Sequence, residues 1–199
     1  MRCLELFCGT KSFKKACPSD WEIISIDLLK KFDPDICVDI VNWDYKKAFE
    51  NEHFDIIWAS PPCRFFSIAR NVSLGKYVKF HNAILTKELM KLDELNHGLP
   101  PVLKTFEIIE YFKPTYWFME NPAYGRLRDY IDKPSIIVNY CRFGFNYKKP
   151  TRIWTNKTEL KDKRCNCKQH NKKHLAWDKI NGTANRYKMP IPLIQYLIE

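Results

Sequence analysis

Cys63 follows two prolines in Ser60-Pro61-Pro62-Cys63-Arg64-Phe65-Phe66-Ser67, at the end of an apolar run. A thiol placed there could be core filler, half of a disulfide, a metal ligand or a nucleophile. Pro61 and Pro62 fix their own φ angles and remove two backbone donors, so the turn is stiff and presents the thiol in one direction. A nucleophile needs that presentation; a core cysteine does not. A second candidate is Glu120, in Glu120-Asn121-Pro122 after Tyr116-Trp117-Phe118-Met119. A carboxyl behind large apolar groups is partly desolvated, the setting of a proton donor. Gly9, after Leu6-Phe7-Cys8, lets the backbone turn and a ligand approach. Asp27 lies eighteen positions beyond Gly9, where an acid can meet ribose hydroxyls. No Gly-x-Gly-x-x-Gly accompanies them, so a nucleoside without pyrophosphate fits better. Each residue taken singly also has a plain structural reading; together they supply a nucleophile and an acid.

For these groups to meet, they must lie at one edge of one sheet. Residues 3–7, 22–26, 55–60, 115–120 and 135–140 read as strands bounded by Gly, Pro, Asp or Lys, several of them apolar almost throughout, as in strands covered on both faces. Helices are expected after Gly9, near 44–50, around 80–95 and over 100–112. The last has Pro at its entrance, apolar residues at 102, 103, 106, 109 and 112, and Lys113-Pro114 as its stop. Strands alternating with helices predict an α/β fold: an open, mainly parallel sheet with helices on both faces. Ligands of such sheets bind beyond the carboxyl ends of the strands, where Gly9, Asp27, Cys63 and Glu120 all fall.

Composition narrows the class. The chain has 199 residues, 45% of them hydrophobic, and a formal charge of +10, which suits one folded domain. No apolar stretch reaches the length of a membrane span. The N-terminal Met1-Arg2-Cys3-Leu4-Glu5 does not read as a signal peptide, so a cytoplasmic protein is expected, and a monomer. The eight cysteines then read mostly as small buried hydrophobes in a reducing compartment. Charge is concentrated: residues 148–173 hold ten Lys or Arg against Glu159 and Asp162, a pattern that suits a polyanion such as nucleic acid. Arg64, Arg70, Lys148 and Lys149 are the candidate phosphate contacts. Within the block, Cys165, Cys167, His170 and His174 offer a zinc set. His-x3-His has finger-like spacing, Cys-x-Cys is tighter than usual, and the alternative is a solvated basic loop.

Three stretches in this order and spacing, Leu4-Glu5-Leu6-Phe7-Cys8-Gly9-Thr10, Ser60 to Ser67 and Met119-Glu120-Asn121-Pro122, resemble motifs of the cytosine-5 DNA methyltransferase family, especially its compact phage and viral forms. Residues 3–155 and a short C-terminal piece carry the resemblance. It implies a Rossmann-like methyltransferase fold with S-adenosylmethionine as methyl donor. It also implies Cys63 as nucleophile adding to a flipped-out cytosine, with Glu120 as the acid. Phe7, Gly9 and Pro61 match donor-binding positions, Asp27 the ribose acid, and Asp39 the residue meeting the adenine. Arg152 matches one catalytic arginine of a Gln-x-Arg-x-Arg motif. Lys11 stands where a second glycine is usual, Pro150 where another arginine is, and the Gly-Asn of the last motif is not evident.

The resemblance divides the chain into a catalytic core (1–156), a short basic insert in place of a recognition lobe (157–183) and a closing helix (184–199). DNA is the implied substrate. The same chemistry serves RNA, and the residues leave that choice open. A catalytically weak or inactive nucleic-acid-binding protein of the same fold is the rival reading, favoured by the altered donor motif and opposed by the intact Cys63 and Glu120.

Overall fold

A computed structural model of the chain describes residues 1–167, 173–176, 179–180 and 187–199. Among the described residues there are nine strands: β1 (Arg2–Leu6), β2 (Glu22–Asp27), β3 (Ile36–Cys37), β4 (Ile56–Ala59), β5 (Tyr77–Val78), β6 (Ala83–Ile84), β7 (Tyr116–Pro122), β8 (Ser135–Asn139) and β9 (Pro150–Thr155). The α-helices among the same residues are α1 (Ser12–Ala16), α2 (Tyr45–Ala48), α3 (Lys87–Asp93), α4 (Leu99–Phe112) and α5 (Ile191–Ile198). Seven strands form one sheet in the order β3-β2-β1-β4-β7-β9-β8, while β5 and β6 make a separate two-stranded hairpin. The pairs among β3, β2, β1, β4 and β7 are parallel; β9 runs antiparallel to both β7 and β8. The expected open, mainly parallel α/β sheet is therefore present. Among the described residues no helix is long and apolar enough to cross a membrane.

Alternation along the strands sends apolar side chains to both faces, and each face has its own core. Leu4, Leu6, Ile57, Ala59, Met119 and Trp154 pack under α4 residues Val102, Ile108, Ile109 and Phe112. On the other face Cys3, Ile56, Trp58, Phe118 and Ile153 meet Phe13 of α1 and Leu193, Ile194 and Leu197 of α5. Burying one such side chain stabilises by about 1.5–3 kcal/mol, and both faces do so along every central strand. Pro100 and Pro101 sit in the first turn of α4, where their missing N–H groups cost nothing, and Lys113 ends it in a left-handed conformation (φ 46°). A π-helical turn over Glu94–Gly98 joins α3 to α4. The region predicted as one helix around 80–95 is thus divided between the β5–β6 hairpin and α3.

Candidate active site

The order of strand addition reverses between the parallel strands β1 and β4 at the centre of the sheet, so their carboxyl ends open a crevice there. Three hydrogen bonds shape the loop that follows β4. Ser60 N–H donates to Leu6 O (3.2 Å), and the Cys63 carbonyl accepts from both Phe66 N–H (3.0 Å) and Ser67 N–H (2.9 Å). Asn121 Nδ2 donates to Pro61 O at 2.9 Å, tying the acid-bearing end of β7 to the prolines. Phe66 is fully buried and anchors the loop. Its ring leaves no room at Gly98, where a Cβ would come within 2.6 Å of Phe66 Cζ. The stiff turn read from Pro61-Pro62 is therefore fixed at both ends.

Cys63 is half-buried beside Glu120, which is 8% exposed, and Lys149. Burial raises the Cys63 thiol above its ordinary pKa, the Glu120 charge adds to that, and Lys149 opposes both. Lys149 Nζ donates to Tyr140 Oη (3.2 Å), lies 4.7 Å from the centre of that ring, and stands 3.8 Å from Glu120 Oε1. Burial alone would lower the Lys149 pKa, but Tyr140 and Glu120 outweigh it and hold the ammonium firmly charged. Glu120 Oε1 and Asn121 Oδ1 are buried without a hydrogen-bond partner among the described residues. Native proteins rarely leave such acceptors unpaired, because each costs about 1–3 kcal/mol. Glu120 Oε1, which has Lys149 only at ion-pair distance, marks a place beside the thiol for a ligand that brings its own donor.

The other half of the crevice has the features of a nucleoside site. Phe7, Gly9 and Lys11 all have left-handed φ angles (59°, 48° and 54°), which fold the chain sharply after β1. A Cβ on Gly9 would meet only Phe7 O, at 3.9 Å, so the face above it is open. Asp27 holds the turn by accepting from Gly9 N–H (2.9 Å) and Leu29 N–H (2.8 Å). Asp39 accepts from Val41 N–H (3.0 Å) and Asn42 Nδ2 (3.1 Å). Leu28, Leu29 and Val41 beside these acids are exposed apolar side chains, a surface that an adenine ring would cover. Beneath the turn Glu5 is buried and accepts from Phe13 N–H (3.3 Å); burial pushes its pKa up to about 8. These residues fit an adenosyl group on the open side of the Phe7–Lys11 turn. Lys11 itself adopts the left-handed conformation usual for glycine and ion-pairs with Asp33 at 3.3 Å.

Several expected contacts are redistributed. Arg152 does not reach Cys63. It is in register with Asn121, one residue past Glu120, so strand alternation turns it to the opposite face of the sheet. There it donates to Ser135 Oγ (2.7 Å) and lies 5.8 Å from the Trp154 ring. Lys149, read as a surface phosphate contact, instead supplies the cation of the crevice. Arg70 likewise turns inward, to a buried ion pair with Asp93. Arg64 stays exposed, stacked 4.6 Å from the Phe65 ring, and Lys148 is exposed. Of the four expected zinc ligands, Cys165, Cys167 and His174 cluster, and Cys141 joins them; His170 lies outside the described residues. Position 141 was read only as a buried apolar site. The signal for it was missed because it lies on a different segment from the Cys-x-Cys pair.

A sheet of this order with a thiol, a carboxyl and a nucleoside-shaped turn at one carboxyl edge has the architecture of a methyltransferase. The fold is similar to that of the solved structure of the Entamoeba histolytica methyltransferase EhMeth, with a TM-score of 0.54, 14% identity and 83% of this chain covered. The chain spans 57% of that structure's length. No family model matches the sequence. A Frog virus 3 protein named "Probable DNA (cytosine-5)-methyltransferase" is 39% identical over 169 residues, which make up 83% of this chain and 75% of the relative. The chain belongs to the DNA (cytosine-5)-methyltransferase family.

Proposed function

We propose that the protein transfers a methyl group from S-adenosylmethionine to carbon 5 of cytosine in DNA, through a covalent adduct on Cys63. The observation that carries this reading is the convergence in one crevice of Cys63, Lys149 and Glu120, whose Oε1 accepts no hydrogen bond among the described residues.

A cytosine ring carbon is a poor nucleophile. Cys63 thiolate adds to carbon 6, forming the S–C bond and moving a ring electron pair toward carbon 5. Glu120 binds the ring nitrogen beside the exocyclic amino group and stabilises the charge that develops there. Lys149 offsets negative charge on the thiolate and the carboxylate. When bound at the Phe7–Lys11 turn against Asp27, Asp39 and Pro61, S-adenosylmethionine supplies an electrophilic methyl on a sulfonium. Loss of the carbon-5 proton and expulsion of Cys63 then restore the ring. A base inside a duplex cannot reach a half-buried thiol, so the target is flipped out or unpaired.

Exposed Ile68, Val72, Tyr77, Phe80 and Ile84 follow Cys63 in sequence, together with Arg64, Lys76 and Lys79. They offer stacking and phosphate contacts to a nucleic acid entering that side. Arg128 and Arg164 act on Arg152 closely enough to lower its pKa after burial has done so, a concentration of cations that suits phosphates. The insert of residues 157–183 is too short for a groove-reading lobe, so sequence choice is short or relaxed.

The decisive experiment is trapping on oligonucleotides carrying 5-fluorocytosine, where fluorine in place of the carbon-5 proton prevents release. A DNA adduct that forms with S-adenosylmethionine present and is absent in Cys63→Ser is expected. Trapping on RNA alone would move the substrate. Tight DNA binding with no adduct on either polymer would establish the non-catalytic binding protein.

A further inference from the structure

We propose that Cys141, Cys165, Cys167 and His174 hold one structural zinc ion that fastens the basic insert to the strand end carrying the catalytic cation. Their four ligand atoms lie within 4.8 Å of one another. Cys165 Sγ and His174 Nε2 are 3.6 Å apart, and Cys167 N–H points at Cys165 Sγ at 3.5 Å. Ligands in a tetrahedral zinc site, at about 2.3 Å for sulfur and 2.0 Å for nitrogen, stand about 3.3–3.8 Å from one another. The cluster needs only small movements to close on a metal. None of the described cysteines is in a disulfide.

The donor set selects the ion and its role. Three thiolates and an imidazole favour zinc over hard, oxygen-seeking cations. Four protein ligands leave no position for a water, which makes the site structural and not catalytic. Such a complex carries a net charge of about −1 when all three thiols are ionised, and Arg142, Lys148, Lys163 and Arg164 in the surrounding segments offset it.

The need for a staple is visible in the packing. Of the described residues from 161 to 180, only Cys167 and Ile180 are buried. A segment with so little core gains most from a metal cross-link. What it is fastened to gives the site its consequence. Cys165 N–H donates to Asn139 Oδ1 (2.9 Å), Asn139 N–H to Lys163 O (3.0 Å), and Leu175 N–H to Asn146 O (2.7 Å). Between these latches lies Tyr140, which holds Lys149 beside Glu120. Losing the metal frees the segment that positions Lys149. The zinc assignment itself does not depend on the chemistry proposed for Cys63.

The test uses the full-length protein without a histidine tag. Elemental analysis after extensive dialysis is expected to find one zinc per chain. Cobalt(II) exchanged into the wild type is expected to give a thiolate charge-transfer band at the intensity of three sulfurs, falling by about a third in Cys141→Ser. His174→Ala is expected to lose zinc, whereas His170→Ala keeps it. Chelation is expected to lower the Tm and the methyl-transfer rate together, leaving S-adenosylmethionine affinity within about twofold. Dialysed protein that neither contains zinc nor gives the cobalt band overturns the proposal. So does full zinc occupancy in a folded Cys141→Ser variant, or loss of zinc in His170→Ala with retention in His174→Ala. The cobalt spectrum of the wild type decides the matter even where a ligand variant fails to fold.

Discussion

Lys149 Nζ stands 3.8 Å from Glu120 Oε1, which places a half-buried ammonium beside the acid of the proposed site. Burial and Glu120 raise the Cys63 pKa, and Lys149 is the neighbour that lowers it. With the thiol above its ordinary value, the thiolate is a minority species at neutral pH, and kcat/KM is expected to rise as pH increases through that range. Lys149→Met removes the lowering influence, so the thiol moves further up and the whole profile shifts to higher pH. At pH 7 the rate is expected to fall about 10²-fold, in line with the loss of one preorganised charge. Lys149→Arg should restore part of it. A Lys149→Met profile superimposable on the wild type would deny this residue any part in activating Cys63.

Asn121 supplies the mechanical link between the two halves of the site. Its amide donates to Pro61 O at 2.9 Å from the strand end that carries Glu120. Asn121→Ala is expected to cost about 1 kcal/mol of stability. It is also expected to reduce kcat by about 10-fold or more, since small misplacements of a nucleophile are costly. S-adenosylmethionine affinity, measured by calorimetry, should stay near the wild-type value. An equal loss of donor affinity and kcat would mean that the residue supports the whole crevice and not the loop alone.

The Phe7–Lys11 turn predicts that restoring a glycine at position 11 changes stability little. Lys11 departs from the family glycine yet adopts φ 54°, a conformation that costs a side-chain-bearing residue about 1 kcal/mol. Lys11→Gly removes that strain. It also adds about 0.4–1 kcal/mol of unfolded-chain entropy and loses the surface pair with Asp33. The expected result is a stability within about 0.5 kcal/mol of the wild type by chemical denaturation. Lys11→Val, branched at Cβ, is expected to lose about 1–3 kcal/mol. If the valine variant were as stable as the glycine one, the turn would not be left-handed at this position.

The parts of the fold legible in the sequence were those set by short-range rules. Apolar runs gave β1, β2, β4, β7 and β8, and the Pro entrance with an i, i+3, i+4 pattern gave α4. The placing of Cys63 and Glu120 at neighbouring strand ends was legible because a rigid turn and an apolar strand end announce themselves locally. What escaped depends on distant pairing. β9 falls within the basic stretch and is not among the expected strands, and only its register with β7 shows that Arg152 and Glu120 leave opposite faces. Lys149 looks like any surface lysine until Tyr140 and Glu120 enclose it. Cys141 looks like a core residue until the chain returns at 165. Charge in a sequence locates a basic segment, but not which of its cations point inward.

Arg70 illustrates that last point and gives a prediction for the loop after Cys63. Its guanidinium ion-pairs with Asp93, which is buried and also lies 2.8 Å from His81 Nε2. Burial alone would raise the Asp93 pKa, but hydrogen bonds from Arg70 and His81 outweigh it and hold the carboxyl below its ordinary value. A folded-state pKa below the unfolded one contributes stability that is fully present above about pH 4 and is lost as pH falls through the folded value. Asp93→Asn is therefore expected to cost about 3 kcal/mol at pH 7, because it strands the Arg70 charge in a buried site. It should also flatten the fall of Tm with acidification below pH 4. Because Phe65 lies 5.4 Å from the Arg70 guanidinium, the same variant is expected to loosen the turn behind Cys63 and lower kcat while the protein remains folded. Calorimetric scans between pH 3 and 7 would show it: identical acid slopes in the two proteins would mean that Asp93 titrates as an ordinary carboxyl and that the loop is held by something else.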